Sequence, residues 1–104
     1  DHNHMQSLDF CDKTKELSPF ADKWKAFGWN VKEIDGHNHN ELREALRNTE
    51  NENSKPTLII ANTIKGKGIS FMENNILWHY RFPHEGEEYD CAIRELELQK
   101  PKGL

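Results

Sequence analysis

The hydrophobic positions of this chain fall into short blocks whose spacing alternates between helical and extended. Phe20, Trp24 and Phe27 recur at i, i+4 and i+7, one face of a helix. Ser18 stands as its N-cap with Pro19 at the first helical position, and Gly28 ends it. Val31-Lys32-Glu33-Ile34-Asp35 follows as a short strand closed by Gly36. Asn38 and Glu41 have capping-box spacing for a second helix, with Leu42, Ala45 and Leu46 as its apolar positions. Asn48 to Lys55 is a polar loop. Leu58 to Ile64 reads as a strand buried on both faces. A long irregular stretch from Ile69 to Phe82 precedes a last helix, Glu87 to Leu98, with Ala92, Ile93 and Leu96 turned inward. Pro101 and Gly103 fray the end.

With an apparent strand leading to Asn3, the order is strand, helix, strand, helix, strand, loop, helix. Such alternation predicts right-handed crossovers and a parallel sheet. The fold class is α/β, a partial doubly wound parallel sheet in one domain. A parallel sheet this small would leave a long apolar edge unpaired. That imbalance implies further sequence upstream of Asp1.

Composition narrows the function. The 104 residues are 35% hydrophobic, and the mean hydropathy of −0.96 is low. Little apolar surface is available for a core, so contacts with a partner enter the stability. A net charge of −4 argues against a general nucleic-acid binder. No apolar stretch is long enough to span a membrane. No signal peptide is visible, although the chain begins at Asp1 rather than Met. Cys11 and Cys91 form no metal or redox motif and read as free thiols in a reducing, cytoplasmic compartment.

The chemistry concentrates where the Leu58–Ile64 strand ends in Lys65-Gly66-Lys67-Gly68. Ligands of open α/β sheets sit beyond the carboxyl ends of strands. Two glycines let backbone N–H groups approach an anion, and two lysines supply charge. The pattern suits phosphate, although a basic glycine turn of this kind is also common as an idle, solvated loop. The strings His2-Asn3-His4 and His37-Asn38-His39 could place alternate histidines on one strand face for zinc. As adjacent letters they say nothing about a nuclease.

The segments Thr63-Ile64-Lys65-Gly66-Lys67-Gly68-Ile69-Ser70-Phe71-Met72-Glu73 and Leu77-Trp78-His79-Tyr80-Arg81 resemble the cofactor loop of transketolases. The nearest likeness is to the N-terminal subunit of transketolases split into two chains. Asp1-His2-Asn3-His4-Met5-Gln6-Ser7 resembles the end of the family's magnesium motif. Leu17 to Trp29 and Val31 to His37 resemble the helix and the strand with its Asp-Gly-His turn that follow.

The resemblance implies that residues 1–104 are the C-terminal part of a thiamine-diphosphate-binding domain, with an upstream Gly-Asp-Gly portion absent from this sequence. It implies magnesium ligation by the Asn3 side chain and the Met5 backbone carbonyl, with the aspartate of Gly-Asp-Gly as third ligand. Without the resemblance Asn3 is simply a turn residue. Lys65 matches the lysine near the cofactor, and Lys67 a position serving the loop or solvent. His79 matches an active-site histidine near cofactor and substrate that helps with proton transfer. On spacing alone it is a half-buried ring beside Trp78 and Tyr80. The family's next lysine is not obvious, and Arg81 is the nearest cation. Phe71, Met72 and Trp78 either cover the cofactor or pack. His37 fits a loop-packing role, and Glu85-Gly86-Glu87-Glu88 a solvated helix start.

The implied activity moves a two-carbon ketol unit from a ketose phosphate to an aldose. The activating glutamate and the pyrimidine pocket belong to another domain or chain, so this chain alone is expected to be inactive. A dimer or heterotetramer is the implied assembly. The rivals are a deoxyxylulose-phosphate synthase, a 2-oxoacid dehydrogenase component, or a noncatalytic binding module.

Overall fold

A computed structural model describes residues 1–47 and 54–101. In chain order the elements are α1 (Cys11–Thr14), α2 (Phe20–Ala26), β1 (Asn30–Asp35), α3 (His39–Arg47), β2 (Thr57–Asn62), a 3₁₀ turn (Ile76–His79) and α4 (Glu87–Leu98). The architecture is mixed α/β with a parallel sheet, as the alternation predicts.

The sheet has two strands. Asn30 pairs with Thr57 and Asp35 with Asn62, so both strands end together. The expected third strand, at the start of the chain, is reduced to one parallel bridge between His2 and Asn62. His2 donates its N–H to Ala61 O at 2.8 Å and accepts from Thr63 N–H at 3.2 Å. His4 then adopts φ 60°, which turns the chain out of the extended form. The first segment therefore lies beside the end of β2 without forming a ladder along it.

α2 starts one residue later than its sequence suggests. Pro19 is the N-cap, and no side chain caps the helix. Lys23 Nζ instead donates to the Leu17 and Ser18 carbonyls at 2.8 and 3.1 Å. At the other end the Trp29 N–H reaches Trp24 O and the Gly28 N–H reaches Lys25 O, a Schellman close. Phe20 and Trp24 pack inward, edge-on at 6.2 Å, but Phe27 sits past the last turn and is 78% exposed. Both α2 and α3 pack on β1.

The capping box of α3 forms through side chains. Asn38 Oδ1 accepts the Asn40 and Glu41 N–H groups, and Asn38 Nδ2 donates to Glu41 Oε1 at 2.8 Å. The second Glu41 oxygen accepts the Asp35 N–H at 2.9 Å, which ties the helix start to the end of β1. Ala45 is buried, whereas Leu46, expected inward, is 62% exposed. The polar loop expected over Asn48 to Lys55 lies mostly outside the described residues, and its described end at Ser54 and Lys55 is exposed.

β2 runs Thr57–Asn62 rather than to Ile64, because Thr63 and Ile64 already bond outside the ladder. Only Ile60 of this strand is buried; its neighbours are half-buried. α4 spans its expected residues, but its orientation differs. Glu88, Cys91, Ala92 and Glu95 are its least exposed positions. Ile93 and Leu96, expected inward, are 40% and 45% exposed. Hydrogen bonds joining Glu95 and Gln99 to the loop after β2 set this orientation.

Candidate functional site at the carboxyl end of the sheet

Because the strands are parallel and end in register, the turns after Asp35 and Asn62 lie side by side. Asp35 Oδ1 accepts the His37 N–H at 2.8 Å, shaping the turn. Gly36 fits here because a Cβ would fall 2.5 Å from Thr63 Cγ2. His37 Nε2 accepts the Ile64 N–H at 2.7 Å, so the imidazole ties one strand's turn to the residue before Lys65. An accepting Nε2 requires the tautomer with its proton on Nδ1.

The first residues close the other side. Asp1 and Thr63 are joined by a hydrogen bond from Thr63 Oγ1 to the carboxylate. Asn3 Oδ1 accepts the Met5 N–H at 3.0 Å, and its Nδ2 donates to Asp1 at 3.5 Å. An open cleft of about 490 Å³ results, lined by Asp1, Asn3, His37, Thr63 and Ile64, with Lys65, Gly66 and Lys67 on the loop side.

The loop itself is a run of turns. Gly66 has φ 77°, and a Cβ there would lie 2.5 Å from the Met72 carbonyl oxygen. Only glycine meets both demands. The Asn74 N–H returns to Lys65 O at 2.9 Å, closing the loop at its base. Lys67 Nζ lies 3.7 Å from Glu73, whose carboxylate also accepts the Gly68 N–H at 3.1 Å. Lys67 is therefore used inside the loop. Lys65 Nζ has no hydrogen-bond or ion-pair partner among the described residues.

Asn3 and Lys65 thus meet at one cleft. Met5 and His79 do not line it. Met5 sits two residues past Asn3 and bridges antiparallel to Phe10. His79 ends the 3₁₀ turn, exposed and edge-on to Tyr80 with ring centroids 4.5 Å apart. That turn is held by Asn75, whose side chain accepts the Leu77 N–H, and by Trp78 Nε1, which donates to Phe71 O at 3.1 Å. Trp78 and Phe71 pack at 5.3 Å, so both rings serve this scaffold.

Arg81 is not a free cation. Its guanidinium lies over the Trp78 ring at 4.4 Å and pairs with Glu88. Glu88 also accepts the His84 N–H at 2.6 Å. That backbone bond, with Arg81 beside it, holds the Glu88 carboxyl below the usual carboxylate range. The helix start is thus exposed at Glu85, Gly86 and Glu87, as expected of a solvated start, and engaged at the half-buried Glu88. Glu95 accepts the Ser70 hydroxyl and N–H, and its carboxyl is likewise lowered by those two bonds.

Among the described residues no three His, Cys, Asp or Glu side chains are grouped to hold a metal ion. The His2 and His4 rings pack at 4.1 Å against each other, with Phe20 5.3 Å from His2. Among the described residues no helix is long and apolar enough to cross a membrane. Cys11 and Cys91 are free, Cys11 buried.

Asp1, His37 and Thr63 also join the cleft; each lies in a segment that resembles the family, but the resemblance assigns none of them a ligand-binding role. The parallel register indicates His37, since it follows the strand paired with the one before Lys65.

Residues 1–85 match the family "Transketolase, thiamine diphosphate binding domain". The chain belongs to the transketolase thiamine-diphosphate-binding family. It is 42% identical over 99 residues to the 6-deoxy-6-sulfo-D-fructose transketolase subunit SqwG of Clostridium sp. (strain MSTE9), which covers 95% of this chain and 36% of that protein. It is 36% identical over 96 residues to a subunit of the apulose-4-phosphate transketolase of Phocaeicola vulgatus, covering 92% of this chain and 34% of that protein. The transketolase of Rattus norvegicus is 33% identical over 79 residues, 76% of this chain and 12% of that protein. The chain therefore spans about a third of the length of its split-chain relatives. All three relatives are transketolases, which favours this family over the other thiamine-diphosphate types weighed above.

The donor set suits the family's cofactor. Lys65 offers an unpaired ammonium of the kind a diphosphate neutralises. Asp1 and Asn3 offer hard oxygen donors beside it, and Asn3 Oδ1 keeps one lone pair after accepting from Met5.

Proposed function

We propose that this chain is the diphosphate-holding part of a transketolase built from more than one chain. The unpartnered Lys65 ammonium in the cleft at the strand ends carries this reading. Lys65 would neutralise the diphosphate of thiamine diphosphate. The Asn3 side chain and the Met5 carbonyl would ligate Mg²⁺, whose remaining protein ligand comes from outside this sequence. When bound, thiamine diphosphate supplies the carbanion chemistry of ketol transfer.

This chain's own residues do the rest. Gly66 lets the backbone turn back on Met72, and His37 fixes the Ile64 N–H just ahead of Lys65. His79 has an exposed imidazole with no hydrogen bond among the described residues, so a ring nitrogen is free to take or give a proton to a substrate. The donor is a ketose with an anionic terminus and the acceptor an aldose, with phosphorylated sugars as the main class. The names of two relatives, one for a sulfo-fructose and one for an apulose-phosphate transketolase, fit that charge. Both names describe one chain of a multi-chain enzyme, which supports a partner that brings the pyrimidine pocket, in a dimer or heterotetramer. The free cysteines suit the cytoplasm.

The test is Lys65→Ala in the complete enzyme. The dissociation constant for thiamine diphosphate with magnesium rises tenfold or more, about 1.4 kcal/mol. Unchanged affinity would remove Lys65 from the cofactor site.

A further inference from the structure

α4 presents an unusual face to the rest of the chain. Ala92 is buried, but the larger apolar residues Ile93 and Leu96 are exposed, while Glu88, Glu95 and, at the helix end, Gln99 reach the protein. A helix that only packed would turn the apolar stripe inward. Here the inward side chains end on the loop that carries Lys65. Ser70 donates its N–H to Glu95 Oε2 at 2.5 Å and its hydroxyl to Oε1 at 2.6 Å. Gln99 Nε2 donates to Gly68 O at 2.5 Å and to Glu95 O at 3.0 Å, so the amide is itself anchored on the helix. Gly68 is thereby held from both sides, its N–H by Glu73 within the loop and its carbonyl by Gln99 from α4.

We propose that Glu95 and Gln99 are positioning residues that clasp the Lys65–Glu73 loop in its cofactor-ready form, an inference that rests on the diphosphate role of Lys65. The clasp grips backbone groups at Gly68 and Ser70, so it fixes the path of the chain. Its bonds to a carboxylate are of the stronger, charge-assisted kind. α4 lies beyond the residues that match the family, which end at 85, so this support does not come from the matched segment. With the loop already ordered, a ligand at Lys65 does not meet the ordering cost on binding.

The experiment uses the complete enzyme, with Glu95→Ala, Glu95→Gln, Gln99→Ala and Lys65→Ala. Amide hydrogen exchange is followed across the loop without cofactor, and thiamine diphosphate binding by calorimetry. Glu95→Ala is expected to speed loop exchange about tenfold while β1 and β2 amides keep their rates, and to raise the cofactor dissociation constant about tenfold with kcat at saturation within about twofold. Glu95→Gln retains an acceptor for the Ser70 N–H and a donor for its hydroxyl, and restores both readouts. Gln99→Ala gives the same signs and carries the test if Glu95→Ala does not fold. Unchanged loop exchange in both Ala variants overturns the clasp. So does faster exchange spread equally over the strands, or affinity held constant while Lys65→Ala weakens binding. If Lys65→Ala leaves affinity unchanged, the cofactor reading fails instead, and the loop exchange still reports whether the clasp exists.

Discussion

At Gly66 two demands meet on one residue, a positive φ and a Cβ direction blocked by the Met72 backbone. Gly66→Ala should therefore destabilise the complete protein by about 1–3 kcal/mol from backbone strain alone, with the loss read from urea unfolding. Thiamine diphosphate affinity should fall with it, because Lys65 is the preceding residue. An unchanged midpoint would contradict the turn. His79 is the opposite case, a side chain on which little packing rests. No hydrogen bond among the described residues uses its ring, so little structure depends on it. His79→Ala should lower ketol transfer roughly 10²–10⁴-fold at saturating cofactor, with less effect on cofactor affinity than Lys65→Ala. Normal turnover would reduce His79 to a ring resting on Tyr80. At this scale Lys65 was legible because it follows a strand, and strand ends of a parallel sheet gather; Asn3 was legible through the resemblance, since only the isolated His2 bridge precedes it. Arg81 was not. Its charge is visible in the sequence, but its pairing with Glu88 and stacking on Trp78 depend on where α4 docks.

Local signals fixed the boundaries of the elements well and their outward faces poorly. The Asn38–Glu41 spacing marks the start of α3, and the acidic run after Gly86 marks α4, because capping is a short-range effect. Periodicity also names an apolar face on α4, of which Ala92 is buried, yet Ile93 and Leu96 are exposed and Glu88 and Glu95 turn inward. The reason is that Ser70, the Gly68 carbonyl and the His84 N–H are polar groups that need partners, and sequence periodicity is blind to them. The same bonds give α4 a pH dependence. Glu88 is lowered first by the His84 N–H and then by Arg81, and Glu95 by the Ser70 hydroxyl and N–H. A lowered carboxyl stabilises the fold above the usual carboxylate range and loses that contribution as pH falls through the range to the lowered value. α4 should thus loosen in acid while remaining tight at neutral pH. The fluorine resonance of 5-fluorotryptophan at position 78, under Arg81, reports this loosening. In Glu88→Gln its acid shift should shrink. An identical acid shift in that variant would assign the change to other groups.

As a whole the described chain is thin. Its extents are 53 × 41 × 15 Å, and the short one is little more than the ~10–12 Å diameter of a single helix. The radius of gyration is 17.2 Å, against about 13 Å for a compact chain of this length. The accessible surface is 7993 Å², where a folded monomer of this mass exposes about 6,100 Å². The core is correspondingly small. The buried hydrophobic residues among those described are Cys11, Ala45, Ile60 and Ala92, and no large side chain is fully buried. The low hydropathy anticipated this shortage, but the sheet's reduction from three strands to two did not follow from it. Ahead of Asn3 only His2 pairs with β2, in a single bridge to Asn62. The 104-residue chain by itself therefore lacks the burial a cooperative fold needs. Entropy lost on ordering each residue is about 1–2 kcal/mol for the backbone alone, and so few buried side chains cannot offset it. The isolated chain should show no cooperative thermal transition by circular dichroism, and calorimetry with thiamine diphosphate and Mg²⁺ should find no micromolar binding. Adding the rest of the enzyme should restore both, because the exposed faces of α4 and the sheet edge would then be covered. A sharp, reversible transition of the isolated chain would mean that the clasped loops and the aromatic packing of α2 stabilise more than their burial indicates.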